Sequence, residues 1–225
     1  VAERVVPAVV SGAGWALSGS VRPSYLTNLG HLATAAGMVA MVAALSRWAD
    51  LRPESLGLVS RFRPADVVVG VVLAGMTYAW QTFAAEVLAG HRTGDAYQQY
   101  LEASGHPVGW LSWTLTGVTS VAIGCSEELL FRGYLLTRLA RTLGSPGWAL
   151  VVSSVLFGAY HFYQGVTGVV GATGLGLLLG MAFLSSGRLT PVVVGHAVYD
   201  FAVFALIERP EYVLGESAAS ASAAW

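Results

Sequence analysis

The sequence predicts an all-α protein, a polytopic bundle of about six to seven transmembrane helices. Of its 225 residues, 55% are hydrophobic and only 11% are charged, and the mean hydropathy is +0.61. A soluble domain usually carries about 25% charged residues, so lipid is the natural solvent for most of this surface. The net charge of −1 gives no reason to expect nucleic-acid binding.

Six apolar segments come close to the length of about 20 residues that a bilayer-spanning helix needs. They are 28–45, 65–89, 108–126, 148–162, 166–185 and 189–207, of which the fourth is short. A weaker stretch, 5–20, is predicted to be an interfacial helix, with a seventh span as the alternative. We expect one membrane domain over 1–225, with a solvated loop at 90–107 and a disordered tail at 208–225.

The arginines, which are the protein's only basic residues apart from histidine, fall mainly on one side of this layout. Cytoplasmic loops of membrane proteins carry an excess of Arg and Lys, so the sequence predicts a multi-pass protein of the cell membrane with these connections in the cytoplasm. The connections after the first, third and fifth segments hold Arg47, Arg52, Arg61, Arg63, Arg132, Arg138, Arg141 and Arg188, against Arg92 and Arg209 on the opposite side.

Several ionisable residues lie within or at the ends of the apolar segments, where an Asp or Arg costs about 2.5–3.5 kcal/mol, and six of them form recognisable patterns. Such a cost predicts a functional reason for their presence. These six occur in three short patterns, EELLFR at 127–132, FGAYH at 157–161 and HAVYD at 196–200. The six residues are Glu127, Glu128, Arg132, His161, His196 and Asp200.

The spacing within the patterns predicts which side chains share a helix face. Glu128 and Arg132 are four residues apart and can pair, whereas Glu127 is rotated by about 100° and can face another partner. His196 and Asp200 also share a face, so Asp200 could orient the imidazole or both could bind a metal. Each pattern alone also fits a structural role: a polar pair for EELLFR and HAVYD, and a single hydrogen-bonding histidine for FGAYH. Together they predict a polar pocket that holds water beside a general base.

The three ordered patterns resemble the CAAX protease and bacteriocin-processing family, also called the Abi family. Its hallmark is Glu-Glu-x-x-x-Arg, Phe-x-x-x-His and His-x-x-x-Asn or Asp on successive helices, and the resemblance covers about 110–207. It implies an intramembrane endopeptidase, related to the type II CAAX prenyl protease, that acts on a membrane-associated or lipidated peptide. A site beside EELLFR and its basic connection is expected to open towards the cytoplasm.

The resemblance also implies roles for the motif residues. Glu127 and His161 would activate water, His196 and Asp200 would stabilise the oxyanion, and Glu128 and Arg132 would shape the site. Asp200 stands where the prenyl protease branch has Asn, and an ionised Asp cannot donate a hydrogen bond. Orientation of His196 and metal binding are therefore alternative roles for Asp200.

Two questions stay open at the level of the sequence. The first is metal dependence: Glu127, His161, His196 and Asp200 are candidate ligands that would suit Zn²⁺, but there is no His-Glu-x-x-His motif, which slightly favours a metal-free mechanism. The second is function, because a non-catalytic self-immunity or partner-binding protein, or an ion-coupled transporter, could use the same residues. No repeated halves favour a transporter. Cys125 is predicted to be a packing residue.

Overall fold

The computed structural model describes residues 23–58, 61–88 and 109–204, and within these ranges the chain is helical and contains no strand. The seven α-helices of this part are α1 (Pro23–Trp48), α2 (Pro64–Val87), α3 (Gly109–Glu128), α4 (Thr137–Leu143), α5 (Pro146–Tyr160), α6 (Gly165–Ser186) and α7 (Leu189–Ala202). A π-helical segment, Leu129–Leu136, joins α3 to α4 without a break, and short 3₁₀ turns occupy Pro53–Leu56 and Phe162–Gln164. The predicted all-α class is confirmed.

Three helices of the described chain are long and apolar enough to cross a membrane. They span Tyr25–Trp48, Pro64–Val87 and Phe162–Ser186, and Pro146–Tyr160 is a shorter apolar helix. Each of the six predicted segments overlaps a helix, but the count of six to seven spans stays a prediction. The predicted interfacial helix at 5–20, the loop at 90–107 and the tail at 208–225 lie outside the described residues.

The helix ends that surround α5 and α6 follow from local sequence. Proline at the first position of α5 supplies a preset φ where no hydrogen bond is lost, and Ser145 Oγ accepts a hydrogen bond from the Trp148 amide at 3.3 Å. Gly144 and Gly187 end α4 and α6 with φ of 63° and 65°, a conformation that suits glycine. These stops allow α5 to fold back on α4, and α7 on α6.

Glycines of helix α6 permit close packing against two neighbouring helices, α5 and α2. A Cβ atom added to Gly176 would lie only 2.9 Å from the Cα of Ser154 in α5, so the two backbones are nearly in contact. On the α2 side, Trp80 Nε1 donates a hydrogen bond to the Gly171 carbonyl at 2.9 Å. Small residues allow such close approach in membrane bundles, where packing rather than the hydrophobic effect holds helices together.

The connections that carry most arginines meet at one end of the bundle. The Leu189 amide donates to the Gly57 carbonyl at 3.0 Å, and Arg188 donates to the Arg61 carbonyl at 2.7 Å and to Asp66 at 3.1 Å. The π-helical segment reaches the same end. We call this end, formed by the α1–α2 connection, α4 and the α6–α7 turn, the arginine-rich end.

Candidate active site

The Glu128 carboxylate, at the last position of α3, joins two motifs. Its Oε1 atom accepts a hydrogen bond from Arg132 Nη1 at 2.8 Å and lies 2.7 Å from Nδ1 of His196 in α7. Glu128 is fully buried, and Arg132 and His196 are 1% and 3% exposed. The Glu128–Arg132 pair expected from the spacing is thus present. Because an ionised carboxylate only accepts, Nδ1 of His196 carries the hydrogen of this bond.

The other ring nitrogen of His196 faces two carboxylates. Nε2 lies 3.8 Å from Glu127 Oε2 and 3.7 Å from Asp200 Oδ1. Both distances exceed the usual limit of about 3.2 Å for a direct hydrogen bond, and they are of the size that a bridging water spans. Asp200 therefore does not orient His196 by a direct hydrogen bond, since Glu128 does so from the opposite side of the ring.

Several carboxylate oxygens in this cluster have no hydrogen-bond partner among the residues that the structure describes. Glu127 Oε2, Glu128 Oε2 and Asp200 Oδ2 are buried without a hydrogen bond, as is Arg132 Nη2. Buried polar atoms normally find partners in protein or ordered water. Four such atoms in one cluster indicate a site built to receive water or a polar part of a substrate.

The π-helical segment begins directly after Glu128 and shapes this side of the site. Its Phe131 carbonyl accepts a hydrogen bond from Ser153 Oγ of α5 at 3.0 Å, and the guanidinium of Arg132 lies 4.4 Å from the centre of the Phe157 ring, a cation–π distance. π-helical turns occur frequently at functional sites. Sequence reasoning missed Ser153, although its spacing of four residues from Phe157 and eight from His161 marks one face of α5.

His161 ends α5 and lies at the rim of the cluster. Its Nδ1 is 2.9 Å from the Phe157 carbonyl, and because a carbonyl can only accept, Nδ1 carries the hydrogen and Nε2 of the neutral ring keeps a lone pair. The ring of His161 contacts the rings of Phe157, Tyr160 and Tyr163. The Phe157 ring also meets His196 edge-on, at 6.0 Å between centroids.

The six candidate residues are thus arranged in two groups. Glu127, Glu128, Arg132, His196 and Asp200 form one buried cluster on α3, the π-helical segment and α7, whereas His161 is half-buried and connects to it through Phe157. Cys125 is exposed, and the ring of His31 stacks with Phe204 at 6.1 Å.

The four candidate metal ligands do not form a metal site as they are placed. In the described part of the chain, no group of three or more His, Cys, Asp or Glu side chains is arranged to hold a metal ion. Nδ1 of His196 is already hydrogen-bonded to Glu128. Nδ1 of His161 is hydrogen-bonded to the Phe157 carbonyl of its own helix, and the His161 ring stacks with Tyr163.

The fold and the site together define a membrane-embedded helical protein with a buried carboxylate–imidazole centre. Residues 109–202 match the family model described as type II CAAX prenyl endopeptidase, Rce1-like, and this range contains all three motifs. These residues are therefore similar to the Rce1-like domain of the CAAX protease family, and the resemblance predicted from the motifs is confirmed over this range. No curated protein and no solved structure matches the chain.

Proposed function

We propose that this protein is an intramembrane endopeptidase that cleaves a membrane-associated or lipidated protein, with water activated by Glu127. The observation that carries the proposal is the convergence of Glu127 Oε2 and Asp200 Oδ1 on Nε2 of His196, at 3.8 and 3.7 Å. Two carboxylates and an imidazole around one point supply both an acceptor for a proton and a donor to a developing negative charge. The match to a family model of endopeptidases supports the proposal that this group of side chains hydrolyses peptide bonds.

The first step is attack by water on the scissile carbonyl carbon. Glu127 accepts one proton from the water while its oxygen bonds to the carbon, and the carbonyl electrons move onto the oxygen. His196 in its imidazolium form donates Nε2–H to this oxyanion, since its Nδ1–H is committed to Glu128. His161, whose Nε2 holds a lone pair, accepts a hydrogen bond that orients the water.

The second step breaks the carbon–nitrogen bond. The oxyanion electrons return to the carbonyl, the amine leaves, and Glu127 gives the amine the proton that it took from water. Asp200 interacts electrostatically with the His196 imidazolium from the side opposite to Glu128. In this scheme Glu128 and Arg132 are positioning residues, because neither one faces the reacting atoms.

A comparison of membrane-protein termini tests the assignment. Cells that express the wild-type chain or the Glu127→Gln variant are compared by mass spectrometry of newly formed peptide termini in the membrane fraction. We expect a set of termini that depends on Glu127 and survives in Glu86→Gln, a control that changes an exposed glutamate of α2. Equal sets of termini in all three strains, with normal levels of each protein, would overturn the proposal and favour a non-catalytic partner-binding role.

A further inference from the structure

One face of α3 buries hydroxyl groups from the first turn of the helix to its middle, between Ser112 and Ser120. Ser112, Thr116, Thr119 and Ser120 are each at most 5% exposed. At 100° per residue, these four residues and Glu127 fall within an arc of about 100°. From Ser112 to Glu127 the helix rises about 22 Å. We call the four residues the hydroxyl face; it starts near the end of α3 that lies away from the arginine-rich end.

Two members of the hydroxyl face have no hydrogen-bond partner. Ser112 Oγ and Thr119 Oγ1 are buried, and neither makes a hydrogen bond within the described chain. A Ser or Thr in a membrane helix commonly bonds the carbonyl one turn earlier, as Ser120 does to Thr116 at 2.9 Å and the exposed Thr114 does to Trp110 at 2.8 Å. The two unpartnered hydroxyls therefore need another partner, and ordered water is the usual one at buried polar sites.

Close helix packing does not account for these hydroxyls. Alanine or glycine would allow the same approach of neighbouring helices without burying a polar atom that lacks a partner. The outward side of α3 carries Leu111, Val118 and Val121, all more than 45% exposed. The buried hydroxyl groups Ser112, Thr116, Thr119 and Ser120 thus lie on the side of α3 that carries Glu127 and not on its outward side.

We propose that the hydroxyl face holds a file of ordered water that runs along α3 to Glu127. The interior of a bilayer is dry, so a buried hydrolytic site needs a route by which water is replaced after each cleavage. This role in replacing water rests on the proposed peptidase function, whereas the presence of the water file does not.

Thiol accessibility tests the water file without a substrate. Ser112→Cys and Thr119→Cys, both nearly isosteric, are each placed in a Cys125→Ala background, and the full chain is reconstituted in phospholipid vesicles. The probe is the silver ion, which is small, soluble in water and reactive with thiols, and its reaction is followed as the loss of later maleimide labelling. We expect both buried thiols to react at least tenfold faster than Val118→Cys and Val121→Cys, the lipid-facing controls at similar depth. Equal rates, with unchanged melting temperatures, would overturn the water file.

A second measurement separates the water file from the peptidase. If Glu127-dependent cleavage is found, Ser112→Ala combined with Thr119→Val should lower its rate about tenfold, and Thr114→Val, on the exposed side, should leave it unchanged. Fast silver reaction without any Glu127-dependent cleavage would keep the water file and reject the peptidase. Cleavage that persists unchanged in the double variant would reject the role of the hydroxyl face in supplying water.

Discussion

Glu128 binds His196 across two helices, with 2.7 Å between the carboxylate oxygen and Nδ1 of the ring. The contact separates the tasks of two adjacent glutamates. Glu128 sets the orientation of the imidazole ring by accepting its Nδ1–H, and Glu127 faces the opposite ring nitrogen. In the proposed mechanism, the Glu-Glu pair therefore supplies one positioning group, Glu128, and one group directed at the reacting atoms, Glu127.

The two glutamates should respond differently to the same substitution. Glu128→Gln removes the negative charge that the buried Arg132 requires, and breaking a buried pair costs about 3–5 kcal/mol. We expect the Glu128→Gln variant to have a clearly lower melting temperature in detergent and no cleavage activity. Glu127→Gln should abolish cleavage and leave the melting temperature near that of the wild type, because Oε2 of Glu127 makes no hydrogen bond to any residue that the structure describes. Equal melting temperatures for the two variants would contradict the assigned division of tasks.

Adjacent serines of α5 provide a test of the π-helical segment. Ser153→Ala removes the hydrogen bond to the Phe131 carbonyl and should cost about 1 kcal/mol of stability, with a lower kcat because Arg132 and Glu128 lose support. Ser154→Ala removes only a bond to the Leu150 carbonyl of the same helix. It should leave kcat within twofold of the wild-type value. Steady-state kinetics and thermal unfolding of both variants distinguish the two serines. Identical kcat values would show that the hydrogen bond from Ser153 to the Phe131 carbonyl does not support the site.

Two substitutions of Asp200 distinguish a requirement for its negative charge from a requirement for its hydrogen-bonding atoms. Asp200→Asn keeps the shape and can donate a hydrogen bond, so we expect cleavage to persist within about tenfold of the wild-type rate. Asp200→Leu removes both the charge and the hydrogen-bonding atoms of this side chain beside His196 and should reduce cleavage at least 100-fold. A kcat that falls equally in both variants would show that the negative charge itself is required.

Glycine contacts of α6 should control the stability of the bundle. Gly176→Leu places a side chain against the backbone of Ser154, and overpacking of this kind usually costs about 1–3 kcal/mol. Gly75→Leu is the matched control, because no atom lies within 4 Å of an added Cβ there. We expect a lower melting temperature only for Gly176→Leu, and two equal melting curves would argue against the α5–α6 contact.

Much of the local site could be predicted because it depends on helix periodicity. The four-residue spacing predicts the Glu128–Arg132 pair and the shared face of His196 and Asp200, and the 100° rotation predicts a separate partner for Glu127. Both pairs are close in the structure. The spacing does not reveal the π-helical segment, whose geometry depends on packing against α5.

Contacts between distant segments could not be read from the patterns. The Glu128–His196 bond joins residues 68 positions apart, and the Asp66–Arg188 ion pair joins residues 122 apart. Both depend on how far each helix slides along its neighbour, which is set by glycine contacts such as Gly124 against Ala197. The position of His161 beyond the Phe157 ring has the same origin, because it depends on where α5 ends relative to α7.

The π-helical segment also absorbs one residue beyond what a regular α-helix would need. A π-turn contains one residue more than the α-turn it replaces, so loss of a single residue within 129–136 would let the helix close into regular α geometry. Helices α3 and α4 would keep nearly the same relative orientation, because the wider turn is what accommodates the additional residue. Loss of a residue between Glu128 and Arg132 would change where the guanidinium lies relative to the carboxylate, while both glutamates would still face α7.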